Sequence, residues 1–321
     1  MLQKNIGKKS VFIFISIFLT ALIIFGLFTV GGTEHRTKVY VLSMLLVLLN
    51  IYLIKNLEIL KDMIKEIIWS KSLIMSLAVN DFKTRFAGSY FGVLWAFVQP
   101  MVTIAVYWFV FQVGFRSGTV DDFPFVLWLA TGLIPWFFVS EAWNSGTVAL
   151  IDYSYLVKKV VFKISILPLV KIVSAFFVHV FFVCFIIFLY LICGFAPHLA
   201  WIQVVYYSLC IFALVTGLSY CSSALMVFFR DTAQIIAVFL QVFIWITPIM
   251  WSYTMLGEYS WLAKYNPLFY IVQGYRDAMI NGIWFWNKPF QTVAFWIFTI
   301  GLLALGMKFF NKSRIHFADV L

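Results

Sequence analysis

Val170–Cys193 reads VKIVSAFFVHVFFVCFIIFLYLIC, and beyond Lys171 it carries no formal charge. As an α-helix rising about 1.5 Å per residue, a run of this length crosses the roughly 30 Å hydrocarbon core of a bilayer. Working outward, comparable runs cover Val11–Val30, Val39–Ile54, Phe91–Phe115, Phe125–Ile151, Trp201–Phe229, Ala233–Trp251 and Val293–Phe310. With the first stretch these make eight expected spans, and Val39–Ile54 is the weakest of them.

Composition agrees. The 321 residues are 64% hydrophobic, 20% aromatic and 11% charged, against about 25% charged for soluble domains. A soluble globule must cover its exterior with polar groups, which this chain lacks. Outer-membrane barrels show short alternating segments rather than unbroken apolar runs, so the fold class is an all-α integral membrane protein.

The net charge of +10 is spread over short loops, with no continuous basic face of the kind that binds nucleic acid. Lys55, Lys61, Lys65, Lys71, Lys83, Arg85, Lys158, Lys159, Lys163, Lys171, Arg230, Lys308, Lys312 and Arg314 fall on one side of the expected spans. The other side holds Arg36, Lys38, Arg116, Lys264, Arg276 and Lys288. The positive-inside rule then places both termini in the cytoplasm. Lys4, Lys8 and Lys9 before Val11–Val30 resemble the start of a signal peptide. The run is longer than a usual signal core and no small-x-small site follows, so a retained span is expected. Cys184, Cys193, Cys210 and Cys221 lie in apolar stretches without CxxC spacing and read as small buried hydrophobes, so no metal site is expected.

Two segments are neither span nor ordinary loop. In Lys55–Arg85, Leu57, Leu60, Ile64, Ile67, Ile68 and Ile74 recur at helical spacing between lysines and acids, which predicts an amphipathic helix on the membrane surface. Ser252–Gln291 is too polar to span and too apolar to float, and is crowded with Trp and Tyr. A re-entrant or interfacial helical pair fits, its second helix starting at Asn266-Pro267; an aromatic belt anchoring neighbouring spans is the alternative.

No catalytic constellation is present: no GxSxG, no HExxH, no paired acids within one span. Gly7-Lys8-Lys9-Ser10 lacks the earlier glycine and preceding strand of a phosphate loop. Energy for any transport must therefore come from a partner.

The remaining pattern is linear. Asp81-Phe82-Lys83-Thr84-Arg85-Phe86, then Ser89-Tyr90-Phe91-Gly92-Val93-Leu94-Trp95 and Gln99-Pro100, resembles the RDFKxRYxxSxLGxLWxxxxP stretch of polysaccharide-exporting type-2 ABC permeases. Gly132-Leu133-Ile134-Pro135-Trp136 is similar to that family's GLxPW, and Leu156–Phe162 with Pro168 to its LVKKVxFP loop. Asn266-Pro267 with Gly274-Tyr275-Arg276-Asp277 is similar to its NP…GYRD, and Phe317-Ala318-Asp319 to FAEY. The resemblance runs from about Ile67 to the end. It departs at Ile164, near where the family has Pro, and in the extra hairpin before Lys55.

The resemblance implies a six-span permease core (91–321), preceded by a transmembrane hairpin (1–54) and an interface helix (55–90), with outer re-entrant gate helices. It implies a homodimer in the bacterial inner membrane, served by a separate ATP-binding subunit that holds the ATP and Mg, with no cofactor in this chain. The cargo it implies is a lipid-linked polysaccharide: O-antigen first, then capsule or teichoic acid. Exporters of drugs or smaller lipids, and a membrane-embedded glycan- or lipid-modifying enzyme, are the competing readings. Tyr155, Leu156, Lys158, Lys159 and Phe162 are the implied coupling-loop residues. Asp81, Lys83, Arg85, Gly92 and Trp95 mark the interface helix and first-span motif; Asn266, Pro267, Tyr275, Arg276 and Asp277 mark the outer gate segment. Tyr107, Trp108, Trp136 and Glu141 are candidates for the pore or for interhelical contacts, since a carboxylate at membrane depth faces a bundle interior or water. His179 reads as a helix contact. Arg276-Asp277 reads as an internal ion pair or as a gate latch.

Overall fold

The computed structural model describes residues 2–31, 35–85, 87–116, 118, 123–158 and 163–321, the first of these to residue 12 by backbone alone. Helices α1 (Leu2–Gly31) and α2 (Arg36–Lys55) form the expected hairpin. Asn50 of α2 donates to the Ser16 carbonyl of α1 at 2.9 Å, a polar clasp between two otherwise apolar helices. Leu27, Val39 and Leu42 of the hairpin pack on Phe290, Val293 and Ile297.

The single amphipathic helix expected over Lys55–Arg85 is two helices, α3 (Leu57–Trp69) and α4 (Lys71–Thr84), separated at Ser70. Only α3 is amphipathic. Helix α4 lays one side on α8 and leaves the other exposed. Ile74, Ala78 and Asp81 are buried, and Phe82 meets Phe177 edge-on at 5.8 Å. After α4 the chain turns through Gly92, whose φ of +50° suits glycine and strains other residues, into α5 (Trp95–Trp108). The last turn of this span, Phe109–Gly114, widens into a π-helix.

The core is α6 (Phe125–Asp152), mostly buried, against α8 (Leu167–Ile192) and α9 (Gln203–Phe228). A short α7 (Ser154–Val157) follows α6 directly. Helix α9 also packs along the last span, α13 (Pro289–Ser313), and α14 (Phe317–Val320) tucks Phe317 against Phe310 and Phe228. By contrast α1 and α5 bury almost nothing within the chain.

Among the described residues seven helices are long and apolar enough to cross a membrane. The eighth expected span, Ala233–Trp251, is shorter than the sequence implies. Helix α10 (Thr232–Ile246) has 15 residues, about 22 Å, and the chain leaves it at Thr247 in extended conformation. Helices α11 (Ser260–Lys264) and α12 (Pro267–Arg276) follow where a helical pair is expected, with α12 packed on α6 and α9. Asn266 caps α12, its side chain accepting from Leu268 N–H at 2.9 Å while its amide donates to Thr247 at 2.9 Å.

The contacts divide the helix ends between two faces. Glu66 with Arg314, and Asp152 with Lys171, gather the basic loops on one face; His35 against Phe290 belongs to the other, aromatic one.

Candidate functional site

Polar groups concentrate in three places along the bundle. At the basic face, Lys171 Nζ stands 2.8 Å from Asp81 Oδ1 and 2.8 Å from Asp152 Oδ2, and Tyr153 Oη donates to Asp81 at 2.9 Å. Four residues thus tie α4, α8 and the end of α6 together, immediately before α7. Burial alone would raise the Asp81 carboxyl, but the Lys171 ammonium bonded to it holds it below its ordinary value. Burial, with the Asp81 charge beside it, pushes the Tyr153 phenol upward. Of the implied coupling residues, Tyr155 and Lys158 are exposed beside this cluster and Leu156 is half-buried; Lys159 and Phe162 lie outside the described residues.

Deeper in the bundle is a cavity of about 330 Å³ between the end of α4 and helices α5, α6, α8 and α10. Its polar lining is Arg85, Gln99, Thr103, Ser140, Glu141 and His179; Trp136, Phe137, Phe138 and Phe182 supply aromatic walls. Arg85 and Glu141 form an ion pair at its edge, with Glu141 the more exposed partner. The carboxylate expected to face a bundle interior or water is held by the arginine at the end of α4. His179 Nε2 lies 3.0 Å from Tyr275 Oη and 3.2 Å from Ser208 Oγ, so one wall of the cavity touches α12. Tyr275 Oη and Ser208 Oγ are themselves 2.6 Å apart.

The third place is at the aromatic face. Arg276 is 2% exposed. Its guanidinium lies 3.4 Å over the Trp128 ring and donates to the carbonyls of Pro248 at 2.8 Å and Ile249 at 2.6 Å. A Cβ on Gly132 would come within 2.8 Å of Arg276 Nη2, so that glycine of the GLIPW stretch leaves room for the arginine of the GYRD stretch. Asp277, also buried, pairs with Lys288 and accepts from Gln273 and Asn281 at 3.2 Å each. The adjacent charges Arg276 and Asp277 each have partners of their own, in keeping with successive helical residues pointing in different directions. The helix continues as a π turn, Asp277–Asn281, and stops at Gly282. Beyond it Gln203 of α9 donates to Ile283 and accepts from Phe285 N–H at 2.7 Å, fastening the segment's far end.

The sequence-expected residues therefore divide. Asp81 joins the basic cluster, Arg85, Glu141 and Trp136 meet at the cavity, and Asn266, Pro267, Tyr275, Arg276 and Asp277 build the aromatic-face cap. Lys83 and Trp95 are exposed, Tyr107 is half-buried against the core, and Trp108 is largely exposed on α5, outside the cavity lining. Sequence reasoning missed the roles of Lys171, Tyr153, Trp128 and Gly132. A lysine just inside an apolar run was the available signal for the first.

Comparison with known proteins takes in all three places. The family described as ABC-2 type transporter matches residues 72–280. An O-antigen export system permease of Klebsiella pneumoniae is 30% identical over 259 residues, covering 78% of this chain and 95% of that protein. One from Myxococcus xanthus is 27% identical over 262 residues, covering 80% and 98%. Both matches are long enough to leave outside them little more than the length of the N-terminal hairpin.

Proposed function

The chain belongs to the ABC-2 type transporter family, and on that premise we propose that it is the membrane subunit of a polysaccharide exporter, with O-antigen as the first candidate cargo. The match to O-antigen export permeases over nearly their whole length carries this reading. Two copies and two ATP-binding subunits make the working assembly, and the basic face is cytoplasmic, in the inner membrane. The face around α5, which buries little within one chain, is where a second copy fits.

In this reading α7 and the loop that follows it meet the ATP-binding subunit, and the residues beside them, Tyr155 and Lys158, are exposed for that contact. The cavity offers chemistry suited to a saccharide: a carboxylate, a guanidinium, an amide and two hydroxyls near aromatic walls. A polymer that slides requires weak, repeated contacts rather than one tight site. The aromatic-face cap, α11 and α12, closes the outer end. The cargo is lipid-linked, so its lipid end must be flipped as its chain is threaded. ATP-driven movement of the basic face against the capped outer half is a rigid-body rearrangement of packed helices. The hairpin α1–α2 is seated on α13 and serves as a membrane anchor.

The test is to co-purify the chain with a candidate ATP-binding subunit and measure ATP hydrolysis in lipid, with and without lipid-linked glycan. Stable association and glycan-stimulated hydrolysis are expected. No association with any ATP-binding subunit would defeat the exporter reading. Terminal tags accessible only from the cytoplasm would check the orientation.

A further inference from the structure

The basic cluster and the cavity are described above as separate places, yet one helix holds a residue in each. Asp81 and Arg85 are four positions apart, on one face of α4 and one turn from each other. Arg85 keeps helical backbone angles (φ −52°, ψ −36°), so the register runs unbroken from one to the other. Asp81 is gripped by Lys171 at 2.8 Å and Tyr153 at 2.9 Å. Arg85 grips Glu141 at the cavity edge.

Tyr153 is also the hinge residue between α6 and α7. It stands outside both helices, with φ −102° and ψ 26°. Any swing of α7 therefore acts first on Tyr153 and on the adjacent Asp152, both of which are tied to the Asp81–Lys171 pair. From Asp81 the displacement has a stiff route, one helical turn of α4 held against α8 by Phe82 and Phe177. It arrives at an ion pair whose carboxylate is 46% exposed, a contact that a polar ligand or water can replace at little cost.

We propose that Asp81 is a positioning residue: it carries movement of the α7 root through α4 to the Arg85–Glu141 pair, and so sets whether the cavity edge is clasped or open. This rests on the reading that α7 and its loop receive an ATP-binding subunit. Coupling through a contiguous set of contacts needs a demonstration that both ends bias the same element. The chain supplies a discrete element for that, since the pair is either made or broken.

The experiment uses the full chain with its ATP-binding subunit in lipid nanodiscs. The four native cysteines are replaced by serine or alanine, and a reporter Ser140→Cys is placed on the cavity lining. Maleimide labelling is timed with and without a non-hydrolysable ATP analogue. Nucleotide should change the labelling rate severalfold in this background. Tyr153→Phe, which removes only the phenolic hydroxyl, and Asp81→Asn should reduce that change to less than twofold while the ATP-binding subunit still co-purifies. Asp81→Glu should restore part of it. A merely structural role would shift labelling equally with and without nucleotide, leaving the ratio intact. An undiminished ratio in Tyr153→Phe and Asp81→Asn, or no nucleotide response in the parent, overturns the proposal. Failure of the subunit to bind the parent removes the exporter reading instead, and the coupling proposal with it.

Discussion

Two arginines, Arg85 and Arg276, sit at the ends of short helices toward opposite faces, and their surroundings differ in kind. Arg276 is buried against an indole face, bonded to two backbone carbonyls and fitted beside a glycine. Arg85 is a quarter exposed and meets a carboxylate that is nearly half exposed. A buried guanidinium in a fitted cage has nowhere else to go, because losing its acceptors leaves charge and carbonyls desolvated. A half-exposed ion pair at a cavity edge exchanges partners more readily, because other polar groups can reach both ions. One end of the molecule is built to hold and the other to change.

The sharpest way to break that contrast is Arg276→Ala. Two carbonyls lose their donor and Trp128 loses its cation. The variant should lose about 3–5 kcal/mol of stability, the range for breaking a buried charged contact. Thermal unfolding in nanodiscs measures it, and a loss below about 1 kcal/mol would mean that the cage is loose.

Gly132→Ala comes next. Its new methyl lies within contact distance of Nη2 and over-packs the cage, for which about 1–3 kcal/mol is expected in the same assay. Combined with Arg276→Ala the penalty should shrink, since the group it collides with has gone; full additivity would separate the two residues.

On the other side, Glu141→Gln should cost under about 1 kcal/mol of stability, because a half-exposed pair is screened by solvent. Its effect should emerge instead as a severalfold change in export, measured as surface glycan in cells lacking the native permease. Equal destabilisation by Glu141→Gln and Arg276→Ala would erase the contrast.

The smallest expected effect concerns acid. The Asp81 carboxyl titrates below its ordinary value in the folded chain. Its ionised form therefore contributes stability that is present above the unfolded value and is lost as pH falls through the folded one. The unfolding midpoints of the parent and of Asp81→Asn should converge as pH drops below the usual carboxylate range, and a constant gap would remove Lys171 as the cause.

How much of this was legible beforehand follows from the physics of each signal. Spans are written in hydrophobicity, so runs such as Phe125–Ile151 and Val170–Cys193 could be read residue by residue. The break at Ser70 was harder to see: serine is a favoured N-cap, but the apolar spacing runs on across it and reads as one helix. The early end of α10 was legible in Pro248, which pushes Thr247 to the extended backbone it adopts, but the apolar run continues past it and hid the signal. Long-range pairs were out of reach for a different reason. Lys171 and Asp81, or Arg85 and Glu141, are charges of opposite sign among many such charges, and only the packing of α4 on α8 and beside α6 selects them. The partners of Arg276 were the least visible of all, being backbone oxygens that have no letter in a sequence.

Those oxygens bear on how a helix is able to stop inside a bilayer. The final carbonyls of any helix lack donors, and within hydrocarbon no water can supply them. Helix α10 ends about 22 Å from its start, and the two carbonyls just past that end are those met by Arg276. Pro248 and Ile249 lie past the helix, so the guanidinium holds the extended segment that leaves α10. The helix end itself is met from nearby: Trp251 Nε1 donates to the Trp245 carbonyl at 3.0 Å and Ile249 N–H to that of Thr247 at 2.7 Å. A helix that stops short is thus finished by its own next residues, and the direction in which the chain departs is fixed by an arginine that arrives only after the whole of α11.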